Sequence, residues 1–167
     1  MAMTGKLERK FLAHYIDAGF NPDPSATGAV LNYVRLGQDL EAYAEELNPQ
    51  VEVRRNILGE QNVTHSGYQV QSNAEPFYAY AGDKLFEQLS EIANTRGTGE
   101  VCQTTRVDVL VDAEGTQIWA YREDCWVVPN SVGGDTTGVQ IPFTVYNAGN
   151  RVAGTWDNTN KTFTPTP

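Results

Sequence analysis

Apolar residues recur along this chain mostly with a period of two, the spacing of a strand with one face buried. Residues 30–36 (VLNYVRL) place Val30, Asn32, Val34 and Leu36 on one side and Leu31, Tyr33 and Arg35 on the other, so they predict a strand with neither face cleanly polar. Residues 50–57 and 67–74 alternate as well, with Gly59 closing the first run. Residues 102–112 set Thr105, Val107, Val109 and Val111 on one face, Ala113-Glu114-Gly115 turns the chain, and 117–128 returns. Two long runs around a short glycine-containing loop predict a hairpin, long enough at roughly 3.3 Å per residue to project beyond a small domain. Residues 138–147 alternate Val139, Ile141, Phe143 and Val145 inward with Gln140, Pro142, Thr144 and Tyr146 outward. Pro142 cannot donate to a ladder, which predicts an edge strand or an irregularity there. A turn at Ala148-Gly149-Asn150 leads into RVAGTW, with Val152 and Trp156 on one side.

One segment carries the helical period instead. In 83–96 (DKLFEQLSEIANTR), Leu85, Phe86, Leu89, Ile92 and Ala93 form a single apolar stripe. Asp83 is placed to cap its first turn, and Gly97 falls where a left-handed residue ends a helix. Residues 38–47 (QDLEAYAEEL) fit either a short helix or a long acidic loop, ended in both cases by Asn48-Pro49. The charged start and the run Gly19-Phe20-Asn21-Pro22-Asp23-Pro24-Ser25 predict an N-terminal arm over 1–29, and the proline-rich 158–167 a C-terminal one. The expected fold is mainly β: an antiparallel β-sandwich or barrel flanked by one helix at about 83–96, with extended arms, in a single domain over 1–167 whose core is 30–157.

Composition narrows the function. The 167 residues carry 12 Lys+Arg against 21 Asp+Glu, a formal charge of −9, with no basic cluster. Gripping nucleic acid depends on neutralising phosphates, so an acidic chain of this kind is expected to repel a polyanion. No run of about 20 apolar residues would span a bilayer, and the N-terminus lacks a signal peptide's apolar stretch, so folding in a cytoplasm is expected. Asn62-Val63-Thr64 and Asn160-Lys161-Thr162 match the glycosylation pattern only at chance level.

Chemistry is sparse. His14 and His65 stand apart without a metal-ligand spacing and read as surface or loop histidines. Gly133-Gly134-Asp135 lacks the Lys-Ser/Thr of a phosphate loop and reads as a turn. Glu123 and Asp124 face opposite sides of a strand, which prevents them from acting as paired carboxylates; with Asp108 they read as solvated strand faces. A hairpin centred on 114–115 puts Cys102 opposite residue 127 and a diagonal step from Cys125, close enough to raise a bridge, while assembly in a cytoplasm favours two reduced, partly buried thiols. No catalytic residue, cofactor or metal is expected. Asp39, Glu41 and Glu45 form an acidic run, and Trp119 and Trp126 lie on opposite faces of one strand, as core or as contact residues. Exposed, such aromatics suit a binding platform; in an oligomer they suit an interface.

The segments NYVRLGQDLEAYAEELNPQVEVRRNILGE (32–60), GYQV (67–70), DKLFEQLSEIANTR, and AYREDCWVVPNSVGGDTTGVQIPFTVYNAGNRVAGTW (120–156) together resemble the major tail tube proteins of long, non-contractile-tailed bacteriophages. The resemblance covers about 30–157. It implies a structural, non-enzymatic virion protein of the tail, assembled in the host cytoplasm, whose hexameric rings stack into the tube that conducts the genome. It implies as partners further copies of the chain and the tape measure, tail terminator and tail tip proteins, with DNA passing through the lumen without specific binding. It also implies that Asp39, Glu41 and Glu45 face the lumen, that Trp119 and Trp126 lie at interfaces, and that 37–50 or 56–67 with the two arms bridge successive rings. The alternative reading is a monomeric all-β binding module, a virion decoration or carbohydrate-binding protein using Trp119 or Trp126.

Overall fold

The computed structural model describes residues 4–167. In chain order the elements are β1 (Leu12–Asp17), β2 (Tyr33–Leu36), β3 (Pro49–Arg55), β4 (Gln61–Tyr68), β5 (Gln71–Ala74), α1 (Lys84–Thr95), β6 (Gln103–Val111), β7 (Gln117–Pro129), β8 (Gly133–Asp135), β9 (Gly138–Gln140), β10 (Phe143–Asn147), β11 (Val152–Asp157) and β12 (Thr162–Pro165). The fold is mainly β, a curled antiparallel sheet in the shape of a half-barrel with one helix on its flank.

β7 organises the sheet. One edge of this 13-residue strand pairs with β6; the other pairs with β11 at Tyr121 and Arg122 and with β10 from Cys125 onward. The order β12-β11-β7-β6-β1-β2 follows, with β10 and β5 continuing beside the C-terminal half of β7. Strict alternation lets such a strand bury both faces at once. On one face Cys125, Val127, Phe143, Val145 and Ile16 pack beneath Leu85 and Leu89 of α1. On the other, Tyr15, Tyr33, Val107, Val109 and Ala120 surround Trp156, whose ring lies 4.4 Å from that of Tyr15 and edge-on at 5.6 Å to that of Tyr33. Each fully buried aliphatic side chain contributes roughly 1.5–3 kcal/mol, so this two-sided burial is the main source of cohesion.

Capping of α1 follows the sequence at one end and departs from it at the other. Asp83 accepts from the backbone N–H of Leu85 at 3.0 Å. The left-handed residue is Arg96 (φ 55°), not Gly97, whose N–H donates to the Ile92 carbonyl at 3.0 Å. Gly97 instead lets Val101 pack close: a Cβ there would stand 2.7 Å from the Val101 side chain, which would have to shift.

Several expectations are revised. Residues 1–29 are not an arm throughout: Leu12–Asp17 form β1, buried between β2 and β6. The irregular stretch after it is anchored by Asp17, whose carboxylate accepts from the N–H groups of Gly19 and Asn32, both at 2.9 Å. Residues 1–3 of that segment lie outside the described residues. Residues 38–47 take the loop alternative, and the strand expected over 30–36 shortens to β2. Of the two consequences foreseen for Pro142, the irregularity is observed: β9 ends at Gln140, the Pro142 carbonyl accepts from the N–H of Asn130 at 2.8 Å, and β10 beyond it is interior. Val139 is exposed rather than inward. The C-terminal segment supplies the edge strand β12. The β6–β7 ladder begins at Gln103, opposite Trp126; Cys102 lies in the 3-10 turn just before it, and both cysteines are free and buried.

The hairpin that projects is not β6–β7, which lies at the centre, but β3–β4. Residues 61–66, expected as loop, form most of β4, and the two strands pair only with each other.

Candidate functional site

Three features lie close together in the fold: a buried charge network on the face of the sheet that also carries α1, a loop (37–48) laid across that network, and the β3–β4 hairpin that follows the loop.

The network begins on β6, where Arg106 and Asp108, two apart, share a face; each is 1% exposed. Arg106 Nη2 donates to Asp108 Oδ1 at 2.8 Å, and Nη1 to Ser72 Oγ at 3.1 Å and Asn147 Oδ1 at 3.3 Å. His14, the partner of Asp108 across β1–β6, brings Nδ1 to 2.6 Å from the same Asp108 oxygen. Its Nε2 meets Arg9 Nη2 at 3.0 Å. A guanidinium can only donate, so in this contact Nε2 is the acceptor and Nδ1 the nitrogen that donates to Asp108. Arg151 Nη1 reaches Asp108 Oδ2 at 3.3 Å, Glu45 Oε1 at 3.4 Å and Glu123 Oε1 at 3.6 Å. Asn147 Nδ2 donates to Glu45 at 2.9 Å and Glu123 at 3.1 Å, and the N–H of Gly149 donates to Glu123 at 2.8 Å. Two guanidinium groups, Arg106 and Arg151, thus meet three carboxylates, and a third, Arg9, joins them through His14.

Burial pushes the Asp108 carboxyl upward, but the Arg106 charge and the His14 hydrogen bond outweigh it and hold the group well below the usual carboxylate range. Burial lowers Arg106, and Asp108, Tyr43 and Glu45 reverse that, leaving it raised. For Glu45 burial prevails over Arg106 and Arg151, and its carboxyl is raised. Burial likewise drives the Cys125 thiol far up, leaving it an inert core residue. The His14–Asp108 pair meets Arg9 where a catalytic dyad would meet a nucleophile. The chemistry of this cluster is structural. It fixes the loop, because Glu45 is held by Arg151 and Asn147, and Arg9 Nη2 donates to the Tyr43 carbonyl at 2.9 Å.

The loop leads directly into the hairpin. Glu46 and Gln71 exchange backbone hydrogen bonds at 2.8 and 3.0 Å, closing its root. Beyond the root every β3 residue is exposed, as is all of β4 except Gly67. Val51, Val53 and Val63 share one face, Glu52, Arg54, Asn62 and Thr64 the other. The tip carries Ile57, fully exposed at 102%, and Leu58 at 76%.

The residues singled out from sequence divide among these features. Asp39 and Glu41 are exposed on the loop, and Asp39 accepts from the Tyr80 hydroxyl. Glu45 turns inward to the network. Trp119 and Trp126 are both half-buried on opposite faces of β7, Trp119 with its ring 5.5 Å from that of Tyr121. His65 is exposed on β4, but His14 is buried, contrary to its reading as a surface residue. Asp108 and Glu123 are buried too, where solvated faces were expected; Asp124, pointing the other way, binds Asn150. Sequence reasoning missed Arg106, Arg151 and Asn147. A cue existed: a hairpin centred on 114–115 sets Arg106 directly opposite Glu123, and the structure has that register.

No protein-family profile matches the chain, and no curated protein does. Among solved structures, it is similar to the sheath/tube terminator of an extracellular contractile injection system (PVC), at 10% identity and a TM-score of 0.54, covering 92% of this chain and 100% of that one. It is also similar to the tube-terminating cap of the anti-feeding prophage, at 12% identity and a TM-score of 0.53, covering 93% of this chain and 95% of the other. At such identities the likeness establishes a shared fold across nearly the whole chain.

Proposed function

We propose that this protein is a structural, non-enzymatic subunit of a tail-like tube, built into rings by contacts between its own copies. The observation that carries the reading is the β3–β4 hairpin, whose apolar face and tip stand in solvent. An exposed apolar hairpin is a hazard in a monomer and a bonding surface in an assembly. The curled sheet adds to it, ending on strands with free edges, β2 and β12. Contacts between unlike surfaces of identical subunits close into rings or run on as filaments, as a tube requires. Stacked hexameric rings of a bacteriophage tail, working with tape measure, terminator and tip proteins, are the specific form proposed. Trp119 and Trp126 are proposed as interface residues.

In such a ring Asp39 and Glu41, exposed on the 37–48 loop, are the acids proposed to meet a passing polyanion, while Glu45 is engaged internally. The net charge of −9 would let DNA slide rather than adhere. A second reading places the ring at the end of a tube instead of along its shaft; the two structural neighbours, named a terminator and a cap, favour it.

Negative-stain microscopy of the concentrated protein tests the proposal. Rings or tubes with a central channel are expected; tubes favour the shaft and single rings the tube end. A monomer at every concentration, with no rings, would overturn both readings in favour of an all-β binding module.

A further inference from the structure

Beneath the 37–48 loop lies an open cleft of about 550 Å³ between the loop, β1 and β2. Its apolar lining comes from Leu12, Leu36 and Leu40, and its charged lining from Arg9, Arg35 and Lys10, the last paired with Glu8 at 3.0 Å, with Glu41 as the opposing acid. A concentration of positive charge is unusual on a chain of net charge −9. The cleft is of the size that holds compact apolar groups in binding pockets. The chain also carries a feature of matching shape and chemistry. Ile57 and Leu58 project side by side from the hairpin tip, followed two residues after Leu58 by Glu60.

We propose that the tip of one copy seats in this cleft on a second copy, Ile57 and Leu58 entering among Leu12, Leu36 and Leu40 while Glu60 meets the basic lining. The inference rests on the self-assembly reading and names the contact that reading leaves open. The occupant is a second copy because the two surfaces are complementary in both terms. The tip is apolar between Arg55 and Glu60, and the cleft is apolar between Glu41 and the guanidinium groups of Arg9 and Arg35, so each charge of the tip has an opposite charge to meet. Tip and cleft are different surfaces, so each copy can give one contact and receive another, and the contact propagates. The network described above then has a mechanical role. Glu45 and Tyr43 tie the loop that roofs the cleft, and the same loop carries the root of the hairpin, so the network fixes both the cleft's roof and the point from which the tip projects.

Disulfide trapping between differently sized tagged copies tests this. Leu58→Cys in one copy and Leu40→Cys in the other are mixed and mildly oxidised, against a control pairing Leu58→Cys with Val132→Cys, exposed near the C-terminal end of α1. The native cysteines are buried and contribute little background. At least a tenfold excess of mixed dimer over the control is expected. The excess should shrink severalfold on going from about 0.1 M to about 1 M salt, where screening tightens from about 10 Å to about 3 Å. Yields equal to the control while rings are visible by microscopy overturn the tip-in-cleft contact and leave the ring reading standing. Absence of both rings and excess cross-linking overturns the two together. A Leu40→Cys/Leu58→Cys double variant that closes within one chain shows the tip on its own cleft and overturns the proposal. Undiminished cross-linking at high salt overturns the part assigned to the basic lining.

Discussion

Two hairpins of this chain have the same local pattern and opposite fates. β6–β7 and β3–β4 both alternate, both turn through a short glycine-containing loop, and both pair in antiparallel register. Yet β6 is buried along most of its length, while every residue of β3 is exposed. The difference lies at the outer edges. β6 is bordered by β1, and β7 by β10 and β11, so helix and aromatic layers can close over both faces. β3 and β4 have no outer neighbour. A lone two-stranded hairpin is marginal in water, and this one is held mainly by its root at Glu46 and Gln71. The comparison teaches that alternation specifies a strand and pairing at the edges decides where it sits. A hairpin left without edges in the monomer is suited to finding them on another copy.

The largest way to break the comparison acts on the buried member. Replacing Asp108→Asn removes the carboxylate shared by Arg106, His14 and Arg151 and leaves the buried guanidinium of Arg106 with only Glu45, 3.7 Å away, as a counter-charge. Breaking a buried pair from one side costs about 3–5 kcal/mol, which for a domain of this size lowers Tm by on the order of 10 °C. Thermal unfolding followed by circular dichroism measures it; a shift below about 2 °C would show that the network does not anchor the sheet. The acid limb gives a second readout. Because Asp108 is held below its ordinary value, its stabilising contribution is present above the unfolded carboxylate pKa of about 4 and is lost as pH falls through the folded value. The variant should lack that part of the acid destabilisation.

The physics that buried β6–β7 also explains which parts of the molecule could be read in the chain. Helix α1 was legible because five apolar residues at helical spacing leave one way to be buried, and the register of β6–β7 because its turn is short. β1 was not: LAHYID is a six-residue strand whose central histidine and final aspartate look solvated. The groups that neutralise them, Asp108 and the N–H groups of Gly19 and Asn32, come from elsewhere in the chain. The candidate site was legible by halves for the same reason. Acids appear in the sequence without their partners, so Glu45 looked like its exposed neighbours Asp39 and Glu41 although Arg151 and Asn147, a hundred residues on, draw it inward.

A smaller effect is expected where loop and network meet. In Glu45→Gln the amide can still accept from Asn147, while the attraction to Arg106 and Arg151 is lost, so a change of about 1 kcal/mol or less is expected at neutral pH. The pH dependence has the opposite sign to that of Asp108. Burial raises the Glu45 carboxyl, so the native state binds its proton more readily than the unfolded chain does. The associated stability is complete below the ordinary glutamate value of about 4.3 and declines as pH rises through the raised folded value. Urea midpoints across that interval should fall with rising pH in the native protein relative to Glu45→Gln. Parallel curves for the two would remove Glu45 from the buried network.

The smallest effect on the monomer is expected at the unburied member of the comparison, and there it is the most telling. Ile57 and Leu58 touch water in the isolated chain, so the double variant Ile57→Ser/Leu58→Ser has almost nothing in the fold to lose and should change unfolding free energy by no more than about 0.5 kcal/mol. The same change deletes the apolar tip that a second copy would bury. Sedimentation velocity over a concentration series should therefore give a folded monomer that no longer associates. A core substitution weakens folding and association together, whereas this one separates them. If Ile57→Ser/Leu58→Ser unfolds several kcal/mol more easily, the tip is packed within its own chain in solution. If it associates as the native protein does, the hairpin tip plays no part in joining copies, and the contacts come from other surfaces, among them the hairpin's valine face, Trp119 and Trp126, and the open edges at β2 and β12.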